Sequence, residues 1–170
     1  MSTIFNTPRL VVRHLQVTDE LPFFDLMSNP NVMDPIPQPI FSIRKSKEKL
    51  NELMAGDPTG AKMLWAVSIK DSNTLIGICG YLKNNEKNPE IAYRFREQFW
   101  HQGYGTEIAE HLIAYGFKKL NFDTIDADVD INNKNSENIL KRFMKPVSEF
   151  WDDENVCFNR RYRITIPITR

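Results

Sequence analysis

Residues Gly105 to Leu120 place Ile108, Ala109, Leu112, Ile113, Gly116, Phe117 and Leu120 at the spacing of one helical stripe. Directly afterwards Ile125, Ala127 and Val129 alternate with Asp126, Asp128 and Asp130, the period of a half-buried strand whose other face carries three carboxylates. A one-sided helix followed by a one-sided strand predicts a helix laid on a sheet, because each apolar face has to be covered by the other.

The rest of the chain extends this pattern. Leu10 to Leu15 reads as a strand, and Thr18-Asp19-Glu20 as an N-cap with an acidic first turn for a helix to about Ser28. Asn29-Pro30 and the proline-dense stretch Asp34 to Pro39 cannot be helix interior, and Pro35 to Pro39 is expected to form an ordered loop. A second helix is predicted from Ser42 to about Ala55, ended by Gly56-Asp57-Pro58. Leu64 to Ile69 and Thr74 to Leu82 are strands joined by the turn Asp71-Ser72-Asn73, with a third strand at Glu90 to Phe95. Asn135 to Met144 is predicted as a short helix. Arg161 to Ile168 alternates again, with Tyr162, Ile164, Ile166 and Ile168 on one face. The fold class is therefore mixed α/β, with residues 1–170 as a single domain.

Lys plus Arg and Asp plus Glu number 22 each, so no global field favours a polyanion, and nucleic-acid binding is not expected. The longest unbroken apolar-plus-glycine run, Leu75 to Leu82, is far shorter than the roughly 20 residues of a membrane helix. The first residues lack the basic and apolar regions of a signal peptide, which predicts a cytoplasmic protein without membrane partners. Cys79 and Cys157 form no Cys-x-x-Cys pair and are expected to be reduced. The three histidines show no metal spacing, so no metal is expected. Asp126, Asp128, Asp130 and Glu137 imitate part of a calcium loop, but Ile131 stands where that loop needs glycine and Lys134 takes a ligand position. Lys118-Lys119 and Arg160-Arg161 read as solvated basic pairs.

Chemistry is concentrated in Trp100-His101-Gln102-Gly103-Tyr104-Gly105-Thr106-Glu107, between a predicted strand and the helix that starts near Gly105. Two glycines allow a tight turn that gathers N–H groups at a helix N-terminus, where unpaired donors and the dipole favour an anion. The segment lacks the Gly-Lys-Ser/Thr of a P-loop and the three-glycine dinucleotide spacing. Taken alone it is either a phosphate cradle or a plain turn.

Glu90-Ile91-Ala92-Tyr93, Phe99 to Glu107, Gly116-Phe117, and Val129-Asp130 with Asn133 and Ser136 follow one another in an order that resembles the GNAT superfamily of acetyl-CoA-dependent N-acetyltransferases. Thr7-Pro8-Arg9-Leu10 with Arg13, and Phe99-Trp100 before the glycines, resemble its RimJ/RimL branch, which acetylates ribosomal-protein N-termini. The chain departs from the pattern where the family has Gly-Phe after the last helix, since here Leu140 runs on through Phe143 to Met144-Lys145-Pro146. Trp100 also stands where the wider superfamily prefers Gln or Arg.

The resemblance implies acetyl-CoA as co-substrate. The backbone from His101 and Gln102 through Gly103, Tyr104 and Gly105 to Thr106 would hold its pyrophosphate. Tyr93, Arg94 and Phe95 would pair with pantetheine, and Asn133 and Ser136 would meet the thioester. Acetyl transfer to an amine that is mostly ammonium at neutral pH needs a proton acceptor, and by resemblance Glu90 is the candidate base. A free backbone N–H near Tyr93 or Arg94 could stabilise the developing oxyanion, and Ser136 is the candidate acid for the leaving thiolate. Ser136 could equally cap its helix, with Tyr93 and Tyr104 as substitutes in the acid role. Cys79 lies in an apolar strand and is a poor nucleophile, which points to direct transfer. The acceptor, a protein N-terminal α-amine or a small amine, stays open, as does a homodimer. By resemblance, the helices after Thr18 and Ser42 and the proline loop would wall the acceptor site, although Phe23, Phe24, Ile36, Ile40 and Phe41 suit core packing equally. The alternative function is an acetyl-CoA-binding regulatory module without turnover.

Overall fold

The computed structural model describes residues 2–33 and 39–167. The order is β1 (Thr3–Asn6), β2 (Leu10–Arg13), a 3-10 turn (Val17–Asp19), α1 (Glu20–Ser28), α2 (Pro30–Met33), α3 (Ile43–Ala55), β3 (Met63–Ile69), β4 (Leu75–Lys83), β5 (Pro89–Phe95), a second 3-10 turn (Glu97–Phe99), α4 (Tyr104–Lys118), β6 (Thr124–Asp130), α5 (Lys134–Leu140), β7 (Lys145–Asp152) and β8 (Cys157–Thr165). The strands form one sheet in the order β1-β2-β3-β4-β5-β6-β8-β7. This is the mixed α/β architecture expected from the sequence. The proline-loop expectation for 34–38 and the last predicted strand residue, Ile168, lie outside the described residues.

One face of the sheet is covered by α4, whose Ile108, Ala109, Leu112 and Ile113 pack on Ile91, Phe95, Ile125 and Ala127. The opposite face is covered by α1 and α3, with Phe23, Leu26 and Leu50 against Ala66, Leu75 and Ile78. Ser42 caps α3 by accepting from the Lys45 amide, and Gly56 ends it at φ +79°. Asp19 stands at the N-cap of α1 but does not cap it with its carboxylate. That carboxylate instead takes two guanidinium bonds from fully buried Arg13, at 2.8 and 2.9 Å, and the Gln16 amide at 2.8 Å. Sequence spacing suggests a cap there, and the buried charge of Arg13 claims the carboxylate.

Three local expectations are corrected. The N-terminal strand is a hairpin, because Thr3–Asn6 adds an outer strand to β2. The helix after β6 stops at Leu140, ahead of Pro146. The chain between the last two predicted elements is strand β7, which pairs with β8 and carries Pro146 at the edge of the sheet, where proline is tolerated.

What shapes the site is the junction of β5 and β6. These neighbours run parallel and meet at a single register, Glu90 with Asp126. Beyond it β6 is held by β8 from Thr124 to Asp130, while β5 continues along β4 as far as Phe95. The two strands therefore part after Glu90 and leave an open backbone edge inside the sheet.

Candidate active site

The antiparallel ladder decides which groups face that opening. Arg96 donates its amide to Ile76 of β4 at 2.9 Å, and the β4–β5 register is continuous from Gly77–Phe95 to Lys83–Pro89. Backbone groups alternate sides along a strand, so Ala92 and Arg94 point theirs at β4, and Tyr93 and Phe95 point theirs into the gap. The Phe95 carbonyl is taken by the Trp100 indole at 2.9 Å, leaving the Tyr93 N–H and C=O as the complete free pair. Of the two expected oxyanion donors, the Tyr93 amide faces the gap and that of Arg94 belongs to the ladder.

Side chains alternate as well. The Tyr93 ring lies on the α4 side, 3.8 Å from where a Cβ on Gly105 would stand. Its hydroxyl is buried without a hydrogen-bond partner among the described residues. Burial pushes its pKa up, and nearby Ser136 pulls it back. Glu90, Ala92 and Arg94 project to the other face. There the Arg94 guanidinium meets the thioethers of Met33 at 3.2 Å and Met27 at 3.8 Å.

Before α4, His101 and Gly103 both have left-handed backbones, at φ +60° and +81°. The first amides of α4 have no acceptor in the turn behind them. Arg9 braces this turn. Its backbone N–H and Nε bond Glu107 at 2.8 and 2.7 Å, its Nη1 bonds the Gln102 carbonyl at 2.8 Å, and its guanidinium lies 4.6 Å from the Tyr104 ring centre. Thr7 adds a 2.5 Å bond to Glu107. The Tyr104 side chain is itself buried against Phe95, which leaves its amide rather than its phenol for a ligand.

Glu90 is half-buried where the strands part. Burial, and then the neighbouring charge of Asp128, push its carboxyl up to about 8, against the opposing pull of the Asp128 amide and Arg161. Asp128 is held by Arg161 at 2.7 and 2.8 Å, and fully buried Asp126 by Arg163 at 2.7 and 2.8 Å. The acidic face of β6 is thus largely neutralised across the β6–β8 ladder, and the expectation of a solvated Arg160-Arg161 pair is corrected. Arg161 is only 3% exposed, and Arg160 binds Glu149 and Glu137. The missed signal was the alternation of Arg161 and Arg163 opposite the alternating aspartates.

A cavity of about 940 Å³ is lined by Glu90, Tyr93, Arg94, Asp128, Asn133 and Ser136, with the β7–β8 turn on its far side. It brings both candidate catalytic residues together with Tyr93, Arg94 and Asn133. Phe95 and the His101 to Thr106 turn do not line it. The Asn133 side chain caps α5 by accepting from the Ser136 amide at 3.2 Å, so the capping alternative for Ser136 belongs to Asn133. Cys79 is buried in β4, where desolvation pushes its thiol up.

A sheet opened between two parallel strands, with a glycine turn and helix after the first of them, defines an acyltransferase-type fold. Residues 9–143 match the family model described as acetyltransferase (GNAT) domain, and the chain belongs to this family of acetyltransferases. It is 29% identical over 159 residues to the uncharacterized N-acetyltransferase YnaD of Bacillus subtilis, covering 86% of this chain and 91% of that protein. A GNAT-family acetyltransferase from Bacillus anthracis superposes with a TM-score of 0.83 at 22% identity, covering 97% of this chain and 98% of that one. A spermidine N-acetyltransferase from Vibrio cholerae in complex with CoA and spermine gives 0.75 at 19%, covering 92% and 95%. A ribosomal-protein α-N-acetyltransferase of the RimL type, in complex with coenzyme A, gives 0.80 at 13%, covering 99% and 100%. At these identities the structural likenesses establish the fold.

Proposed function

We propose that this acetyltransferase moves an acetyl group from acetyl-CoA directly to a primary amine, in the manner of the RimJ/RimL branch. The observation that carries the reading is Glu90 at the parting of β5 and β6, in one cavity with Ser136 and beside an unpaired strand edge. The chain's groups suit the donor. Free amides from Gln102 to Thr106 offer donors for a pyrophosphate, and the exposed edge at Tyr93 can pair with an amide-containing arm. The orphaned Tyr93 hydroxyl and Ser136 supply polar hydrogens at the inner end of the gap.

In the reaction Glu90 accepts a proton from the ammonium, directly or through water, and frees the nitrogen lone pair. A C–N bond forms as the C–S bond breaks. The Tyr93 amide stabilises negative charge on the carbonyl oxygen, the nitrogen releases its second proton to water as the amide forms, and Ser136, with the Tyr93 hydroxyl beside it, passes a proton to the departing sulfur and regains one from water. Buried Cys79 has no part in this scheme, in which the amine takes the acetyl group directly from the thioester. The acceptor is a protein N-terminal α-amine or a small amine. Acetyl-CoA supply goes with a cytoplasmic enzyme, and no helix among the described residues is long and apolar enough to cross a membrane.

The test is calorimetric titration with acetyl-CoA and with CoA, followed by assay of free CoA release on adding amines and peptides. Saturable binding with amine-dependent release is expected. Saturable binding without release from any acceptor would favour the regulatory-module reading, and no binding by the folded protein would exclude both.

A further inference from the structure

Arg94 is packed unlike the other arginines built into this sheet. Arg9, Arg13, Arg96, Arg160, Arg161 and Arg163 each hold a carboxylate. Arg94, half-buried, meets only the Met27 and Met33 thioethers, and no carboxylate or carbonyl among the described residues. A guanidinium carries five donors and a thioether is a weak acceptor, so among the described residues this half-buried cation keeps donors free toward the cavity it lines. Such an arrangement is favourable when an anion arrives to complete it.

The position says which anion. Glu90, Ala92 and Arg94 lie on one face of β5, so Arg94 stands four residues, about 13 Å, along the strand from the proposed base. Both ends line the same cavity, and between them the floor is the single methyl of Ala92. The Glu90 end carries the proposed base beside Asp128, which is paired with Arg161, whereas the Arg94 end carries a cation that holds no carboxylate among the described residues. A ligand lying along this floor is oriented by charge, with its amine at Glu90 and its negative group at Arg94. The planar fork of arginine matches a carboxylate through two parallel bonds.

Building on the acetyl-transfer reading, we propose that the acceptor is a primary amine bearing a carboxylate several bonds away, and that Arg94 is the residue that selects it. The carboxylate can belong to an ω-amino acid or to an acidic side chain near a peptide N-terminus, and paired probes separate the two sources. The pairs are 6-aminohexanoate against hexylamine, and the peptide Ser-Ala-Glu-Ala against Ser-Ala-Gln-Ala, with spermidine as a cationic comparison.

In at least one pair, wild-type kcat/KM is expected to favour the carboxylate-bearing member by about tenfold or more, consistent with one charge-assisted bidentate contact. Arg94→Met should bring that ratio within about threefold, and Arg94→Lys should keep part of it. Calorimetry with the acetylated products, 6-acetamidohexanoate against N-hexylacetamide and the matching acetylated peptides, reads the same preference without turnover. It therefore separates failure of carboxylate recognition from failure of the enzymatic reading. Absence of preference in both pairs, spermidine as the best acceptor, or a preference that survives in folded Arg94→Met would overturn the proposal. Should Arg94→Met fail to fold, Arg94→Gln and the wild-type product titration decide it.

Discussion

At the residue scale the chemistry turns on how three charges share one corner. Glu90 is raised to about 8 by burial and by Asp128, while Arg161 draws it down and holds Asp128 in place. Asp128→Asn removes the negative neighbour, so the acid limb of the pH–rate profile should move to lower pH, read from kcat/KM across pH 5 to 10. Arg161→Met should move it upward, and by leaving Asp128 without its partner should cost about 3–5 kcal/mol in a denaturant titration. Glu90 also has a signature in stability. Its folded pKa lies above the ordinary glutamate value of about 4.5, so its contribution to stability is complete below that value and is lost as pH rises through about 8. Glu90→Gln should therefore melt higher than wild type at pH 9 and no higher at pH 4. Sequence spacing could nominate Glu90 and Ser136 but not this corner, because Arg161 and Asp128 are neighbours only through the β6–β8 register. For the same reason Arg160-Arg161 resembled a solvated pair.

At the element scale, legibility followed burial. The stripe of α4, the alternation of β6 and the apolar runs of β3 to β5 are strong because each buries a face against the others. Strands β1 and β7 were missed because both lie at sheet edges and bury little, with Val147 and Trp151 of β7 about half exposed. The glycine turn was legible as a turn into a helix, but its brace was not, since Arg9 and Glu107 lie 98 residues apart. Gly103 occupies a left-handed backbone with the Arg9 guanidinium 3.3 Å from where a Cβ would stand. Gly103→Val is expected to weaken acetyl-CoA binding about tenfold or more by calorimetry, with a modest drop in melting temperature from backbone strain. Unchanged affinity would remove the turn from the coenzyme site.

At the scale of the whole molecule, two helical layers close a sheet that opens at one point, and that opening joins the two faces. The α4 side presents the glycine turn, the Tyr93 phenol and Ser136, and the α1 side presents Glu90 and Arg94. Such an arrangement suits two substrates approaching from opposite faces and meeting between the strands. Family membership was legible from Glu90 to Ser136 taken in order, even where Gly-Phe is replaced by Met144-Lys145. The parting of β5 from β6 was legible only through that resemblance, because residue spacing carries no sign of where two strands stop pairing.

The most direct test of acetyl transfer through Glu90 is the pH dependence of amine-driven CoA release by wild type and Glu90→Gln, with acetyl-CoA affinity measured on both. Wild-type kcat/KM should climb with pH and level off above about 8 as the carboxyl ionises. Glu90→Gln should lose about 10²-fold or more in rate and lose that limb, while binding acetyl-CoA as tightly as wild type. Equal rates for the two proteins, or a limb that persists in Glu90→Gln, would contradict the assignment of Glu90 as the base.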